Sequence, residues 1–206
     1  MGLEYLILAS QSPRRQALLA ESGRLFSVIP AEGVNEESPR FCSDPKGLAV
    51  RNALAKARFV AGQLRRENEP HCVIGCDTIA CVPAGGEGNL YEILGKPAGR
   101  ADARRMLSLL SGFDHLVISG LALIGVPSGR EVTASETTEL FMEPLAGPVI
   151  EDYLESGKWK GKAGAFGYQD GIAWLHKKSG STSNIVGLPM ELLTRLLGET
   201  EPKETR

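Results

Sequence analysis

An apolar run, Tyr5-Leu6-Ile7-Leu8-Ala9, passes without a spacer into Ser10-Gln11-Ser12-Pro13-Arg14-Arg15, and no other stretch constrains the fold as much. The run reads as a buried strand. Ser12 suits a helix N-cap and Pro13 the first helical position. The following Gln16-Ala17-Leu18-Leu19-Ala20-Glu21-Ser22 reads as one short helix stopped at Gly23. A strand that turns at once into a helix belongs to α/β architecture. The turn also gathers two hydroxyls, two guanidiniums and a helix N-terminus. Free backbone N–H groups, the helix dipole and forked Arg donors all favour a phosphate there. An ordinary strand–helix turn with surface arginines fits the same residues.

Further elements follow the same logic. Residues 26–30 read as a second strand, and 31–43 are polar and rich in turn formers. Asp44-Pro45 starts a helix by the same cap-and-proline device. Leu48, Leu54, Phe59 and Leu64 give it an apolar side as far as about Arg66. Residues 72–82 form the strongest strand candidate. The glycine-rich stretch 83–88 reads as a mobile hairpin connection; it lacks Walker-type spacing. Residues 101–111 read as a helix stopped by Gly112. Residues 116–126 and 131–142 read as antiparallel strands across Pro127-Ser128-Gly129. A short helix over 149–156 precedes the Gly/Lys-rich loop 157–162. A strand over 172–176, a last helix over 189–197 and a frayed tail over 200–206 complete the chain. Strands and helices interleave, and the hairpin-like middle argues against a purely parallel sheet. The expectation is an α/β fold with a mixed sheet.

At 206 residues the chain suits one well-buried domain or two small lobes. A formal charge of −2 provides no general basic field, so a nucleic-acid polymer is not the expected partner. Cys42, Cys72, Cys76 and Cys81 include no Cys-x-x-Cys pair, and the last three read as small core residues. That usage fits a reducing cytoplasm. Neither a secretory leader nor an apolar run of membrane-spanning length is visible. His71, His115 and His176 are scattered and suggest no metal cluster.

Asp77 lies inside Val73-Ile74-Gly75-Cys76-Asp77-Thr78-Ile79-Ala80-Cys81. A carboxylate in so apolar a strand is costly unless a cation, a metal or hydrogen-bond donors compensate it. A strand-end Asp capping a turn is the plainer reading. Lys56, in the Ala-rich helix, and Lys96, in Leu94-Gly95-Lys96-Pro97, are candidate counter-charges. Glu36, in the polar loop, could share a hard divalent cation with Asp77, because Mg²⁺ typically takes one or two protein carboxylates, with waters and phosphate oxygens. Thr78 and Gln169 are neutral hydrogen-bonding groups. Gln169 follows Ala163-Gly164-Ala165-Phe166-Gly167-Tyr168, where glycines would let backbone approach a ligand and an amide could read a base edge. A glycine-rich turn bearing a surface glutamine fits these residues as well.

Several segments, taken in order, resemble one family. They are Ser10-Gln-Ser-Pro-Arg-Arg15, Gly75-Cys-Asp-Thr78, Leu94-Gly-Lys-Pro97, Leu110-Ser-Gly-Phe-Asp-His115, Lys162-Ala-Gly-Ala-Phe-Gly-Tyr-Gln169 and Val186-Gly-Leu-Pro189. The order is that of Maf proteins, nucleoside triphosphate pyrophosphatases also known as septum formation inhibitors. The resemblance covers residues 6–197. It implies an elongated mixed β-sheet flanked by helices, two lobes with a central cleft, and a homodimer. It also implies cleavage of a nucleoside triphosphate to the monophosphate and pyrophosphate with Mg²⁺ or Mn²⁺. By motif position Asp77 matches the family's proton acceptor, Lys56 and Lys96 its active-site lysines, and Glu36 the acidic residue after the second strand. Ser10, Arg14 and Arg15 match its phosphate-binding turn. Arg14, Thr78 and Gln169 match positions that separate the dTTP/UTP-preferring group from the 7-methyl-GTP group.

Three departures stand out. Asn35-Glu36 lacks the usual acidic neighbour. Pro30-Ala31-Glu32-Gly33 carries an extra residue, which makes Glu32 a rival to Glu36. Tyr168-Gln169-Asp170 replaces the more usual Ile-Gln-Gly, which implies a modified rim on the base pocket. A non-catalytic nucleotide sensor acting on cell division and a 7-methyl-GTP pyrophosphatase are the alternative functions.

Overall fold

In this computed structural model, which describes residues 5–64, 70–85 and 89–200, the chain folds around one mixed sheet. Strand β1 (Tyr5–Leu8) ends with the apolar run, and helix α1 (Pro13–Glu21) follows directly. Ser12 holds the N-cap position and Pro13 opens the helix, but the Ser12 hydroxyl makes no capping bond. Next come β2 (Phe26–Val28), β3 (Phe41–Cys42), α2 (Pro45–Leu64) and β4 (His71–Pro83). They are followed by β5 (Tyr91–Leu94), α3 (Arg100–Leu110), β6 (Asp114–Val126), β7 (Glu131–Met142) and α4 (Gly147–Glu155). Two 3₁₀ turns, Ala163–Ala165 and Tyr168–Asp170, precede β8 (Leu175–Ser179), α5 (Thr182–Val186) and α6 (Met190–Thr200).

The strand order is β2-β1-β4-β6-β7-β8, with β5 added to β4 and β3 to β5. The pairings of β1 with β2 and β4 are parallel and the rest antiparallel, so the sheet is mixed as expected. One edge of β4 pairs with β6 from His71 to Cys81. The other edge is shared: β1 takes His71 to Ile74, and β5 takes Ala80 to Pro83. Residues 75–79 are left without a strand partner on that side. β1 and β5 both run toward this gap, so their carboxyl ends converge on it. In open α/β sheets ligands bind just outside such strand ends.

α2 lies across β4 and β6 through a stripe of buried positions: Pro45, Leu48, Ala49, Asn52, Ala53, Lys56, Ala57, Val60, Ala61 and Leu64. Small residues set the approach. A Cβ at Gly75 would press into the Ala53 carbonyl, and one at Gly120 into the Ala49 backbone. Gly75→Ala should therefore cost about 1–3 kcal/mol through overpacking. The apolar side expected for this helix is only partly right. Leu48 and Leu64 are buried, but Phe59 is 39% exposed. The true stripe contains two polar residues, which hid it. The expected extension to Arg66 lies outside the described residues.

Other differences are local. β3, β5 and α5 were not anticipated; β3 and β5 are four residues or fewer, and α5 only five. The strand expected over 172–176 is displaced to β8. Ile172 and Trp174 do pack on the core, but from a turn closed by Leu175 N–H to the Ile172 carbonyl after left-handed Gly171. Beyond Leu175, β8 is exposed and polar, as edge strands are. The loop after β4 does join antiparallel strands, although residues 86–88, like 201–206 of the expected frayed tail, lie outside the described residues. Cys72, Cys76 and Cys81 are buried and unbridged, as expected of core residues. Among the described residues no helix is long and apolar enough to cross a membrane.

Candidate active site

A cleft of about 600 Å³ opens beside residues 75–79 of β4, a volume suited to a small molecule. The turn after β1 supplies Ser10, Ser12, Arg14 and Arg15, and the turn after β5 supplies Lys96. Lys56 enters from α2, Glu36 from the polar loop, and Gln169 from the second 3₁₀ turn. Because the gap leaves one edge of β4 open between β1 and β5, both faces of β4 serve it. Asp77 points to the α2 side and Thr78 to the side where Gly187 lies.

Lys56 organises the α2 side. Its Nζ lies 2.6 Å from Asp77 Oδ1 and 2.7 Å from Glu36 Oε2. Asn52, one helical turn earlier, donates to Asp77 Oδ2 at 3.1 Å and to the Glu37 carbonyl at 2.9 Å, and accepts the Glu37 N–H at 2.8 Å. One amide thus ties the Glu36 loop to the buried carboxylate. Burial pushes the Asp77 pKa up, but Lys56 beside it, helped by Arg15 and Asn52, outweighs burial and holds it below the ordinary value. Asp77 is therefore a carboxylate at neutral pH. The structure brings Glu36, not Glu32, to Lys56; Glu32 accepts from Gln11 at 2.6 Å elsewhere in the cleft.

Arg15 organises the opposite side. It donates to the Gly187 carbonyl at 2.8 Å, to Ser10 Oγ at 3.2 Å and to Thr78 Oγ1 at 3.1 Å. Thr78 Oγ1 also meets Ser119 Oγ at 2.8 Å and the Gly187 carbonyl at 3.2 Å. Gly187 has φ +124, a conformation open to glycine, which lets its carbonyl serve three partners at once, the third being the Cys76 thiol at 3.1 Å. Arg15, Ser10 and Thr78 are thus engaged with protein groups and brace the turn. Arg14 is freer. One Nη2 bond of 3.3 Å to the Gly161 carbonyl leaves its other donors toward the cleft. Burial, then the neighbouring Arg15, lower its pKa, and Asp170 opposes them.

The rim is a loop. Lys160, Lys162 and Phe166 line the cleft with Gln169, whose side chain hydrogen-bonds to no other described residue. Lys162 is ion-paired with Asp170. Asn52, Lys160 and Lys162 were missed as site residues in the sequence. Asn52 had a signal, its place four residues before Lys56 on one helix stripe. The two rim lysines had none beyond the Gly/Lys-rich composition of their loop.

Among the described residues no group of three or more His, Cys, Asp or Glu could hold a metal ion. Asp77 and Glu36 nevertheless present two carboxylates around one ammonium, a place that already favours positive charge. This donor set fits a hard divalent cation that takes its remaining oxygens from phosphate and water.

The converging strand ends, the arginine-bearing turn and the lysine-paired carboxylate define an α/β protein built to handle a phosphorylated ligand. The Maf-like protein family model matches residues 5–200, and the chain belongs to that family. A dTTP/UTP pyrophosphatase of Rhodopirellula baltica is 42% identical over 200 residues, covering 96% of this chain and 83% of that protein. Proteins of the same name from Syntrophotalea carbinolica and Bdellovibrio bacteriovorus are 40% identical over 196 residues and 35% over 195. These alignments cover 93% and 94% of this chain, and 84% and 97% of those proteins. A dITP/XTP pyrophosphatase structure from Mycobacterium abscessus aligns at a TM-score of 0.45 and 17% identity over 96% of this chain and 98% of its own, too distant to bear on the chemistry.

Proposed function

We propose that the protein hydrolyses dTTP and UTP to the monophosphate and pyrophosphate. The observation that carries this reading is Lys56, bridging Asp77 and Glu36 at the sheet gap beside the arginine-bearing turn. The names of the aligned relatives supply the substrate class.

In this reading Arg14, Lys56 and Lys96 neutralise the triphosphate, and Arg15 holds the turn in which Ser10 and Arg14 meet it. Unpaired N–H groups in the first turn of α1 add further donors. As Lys56 turns toward phosphate, Asp77 loses its main counter-charge, and its affinity for a proton rises toward that useful in a base. Asp77 takes a proton from water, the water oxygen bonds to the α-phosphorus, and the bond to the pyrophosphate oxygen breaks. Such transfers rest mainly on positioning and charge stabilisation. Asp77 and Glu36 suit Mg²⁺ or Mn²⁺, which when bound would neutralise charge on the phosphate oxygens. Gln169 offers one donor and one acceptor, the complement of a pyrimidine 4-oxo group and N3–H. The family resemblance extends the proposal to a single two-lobed domain acting as a cytoplasmic homodimer.

The test is pyrophosphate release from dTTP, UTP, CTP, GTP and 7-methyl-GTP, with Mg²⁺ and then Mn²⁺. dTTP and UTP should give the highest kcat/KM. Nucleotide binding without pyrophosphate release would turn the reading into a sensor, and a preference for 7-methyl-GTP would overturn the pyrimidine assignment.

A further inference from the structure

We propose that the Lys162–Asp170 ion pair sets base selectivity by positioning Gln169, and the proposal rests on the pyrophosphatase reading above. Lys162 and Asp170 sit eight residues apart and close segment 162–170 into a ring. Inside the ring Phe166 is buried and packs edge-on against His115, with ring centroids 5.3 Å apart. Gln169 is exposed to the cleft, one residue before Asp170 of the clasp. Its own turn is also held by Asp170 N–H to the Gly167 carbonyl at 3.0 Å, by Gly171 N–H to the Tyr168 carbonyl at 3.4 Å and by Tyr168 packed on the core.

Gly167 supplies an independent observation. Its φ of −128 is open to any residue, so the backbone does not require glycine there. A Cβ at that position would run into both Lys162 Nζ and Asp170 Oδ2. The glycine makes room for the ion pair. Tyr153 steadies the same point, its hydroxyl accepting the Gly167 N–H at 3.1 Å. Asp170 is also felt by Arg14 across the cleft, so the pair lies within the field of the site rather than outside it.

A free carboxamide reads a base poorly, because freezing a mobile side chain costs affinity. The clasp fixes the backbone that carries Gln169, and so meets the part of the ordering cost that belongs to the turn before substrate arrives. Through Gln169 it acts at the base edge, whereas a lysine bound directly to phosphate would act on all triphosphates equally. Asp170 and Lys162 are therefore positioning residues.

The experiment compares kcat/KM for UTP and CTP in the parent, Asp170→Asn, Gly167→Ala and Lys162→Arg, together with inhibition by inorganic tripolyphosphate. Asp170→Asn should narrow the UTP-to-CTP ratio about fivefold, the scale of one modest ion pair. Gly167→Ala, which parts the pair but keeps both charges, should narrow it as well. Lys162→Arg should retain the parental ratio, and none of the three should weaken tripolyphosphate inhibition. The same ratio is read in binding, with UMP and CMP by calorimetry, so it does not depend on turnover. An unchanged ratio in Asp170→Asn and Gly167→Ala overturns the proposal. So does an equal loss for UTP, CTP and tripolyphosphate. Parental pyrophosphate release from UTP separates the two failures: its absence defeats the pyrophosphatase reading, and its presence with an unchanged ratio defeats the clasp alone.

Discussion

Two lysine–aspartate pairs meet at one cleft, and they are covered almost equally. The Lys56 and Asp77 side chains are each 11% exposed, and those of Lys162 and Asp170 are 12% and 18% exposed. Burial does not distinguish them; the scaffold does. Lys56 and Asp77 join a 20-residue helix to the central strand, and Asn52 and Glu36 complete their bonding. Lys162 and Asp170 join two ends of one loop. A charge stranded on the rigid pair has nowhere to go, whereas one stranded on the loop can turn into the water of the cleft. In the proposed reading the first pair serves chemistry common to every substrate, and the second serves choice among them.

The largest effect should follow from breaking the rigid pair. Lys56→Met leaves Asp77 buried with only Asn52 and Arg15 near it, and should cost about 3 kcal/mol of stability. Urea denaturation measures it, and a loss below that of the rim variants would erase the contrast. A smaller effect should appear in acid. The folded pKa of Asp77 lies below its unfolded value, so the unfolded chain binds the proton more readily as pH falls. The stabilisation is present in full above the ordinary carboxylate range, about pH 4, and disappears as pH drops through the folded value. Asp77→Asn should therefore flatten the stability profile below pH 5, and a profile as steep as the parent's would assign the acid sensitivity elsewhere. The smallest effect belongs to the rim. Lys162→Met should cost about 1 kcal/mol, because the loop can relax around the orphaned carboxylate.

What could be read in the sequence follows the same division. β1, α1, β4 and the β6–β7 hairpin announce themselves by long apolar runs, a proline at a helix start and a Pro-Ser-Gly turn. The sequence marks α2 as a helix but hides its true face, since Asn52 and Lys56 interrupt the apolar stripe where it serves the cleft. β3 and β5 are too short to show a period, and β8 presents lysines where a buried strand would alternate. For the site, the residues of the turn after β1 suggested a phosphate by themselves. The wider set, Asp77 with Lys56, Lys96 and Glu36, is open to plainer readings on local chemistry and takes its roles from motif order, and the structure places Lys56, Lys96 and Glu36 at one cleft with Asp77 just beneath it. The clasp had no sequence signal, because an ion pair between two loop residues depends on a turn that no periodicity encodes.

The central claim is that the rigid pair carries the chemistry. Asp77→Asn keeps the shape of the side chain and leaves Lys56 its bond to Glu36, so the protein should fold. The decisive measurement is the rate of UTP hydrolysis by folded Asp77→Asn at saturating substrate. A fall of about 10²–10⁴-fold, with UTP still bound, is the result predicted for loss of a general base. Turnover close to the parental rate would contradict it.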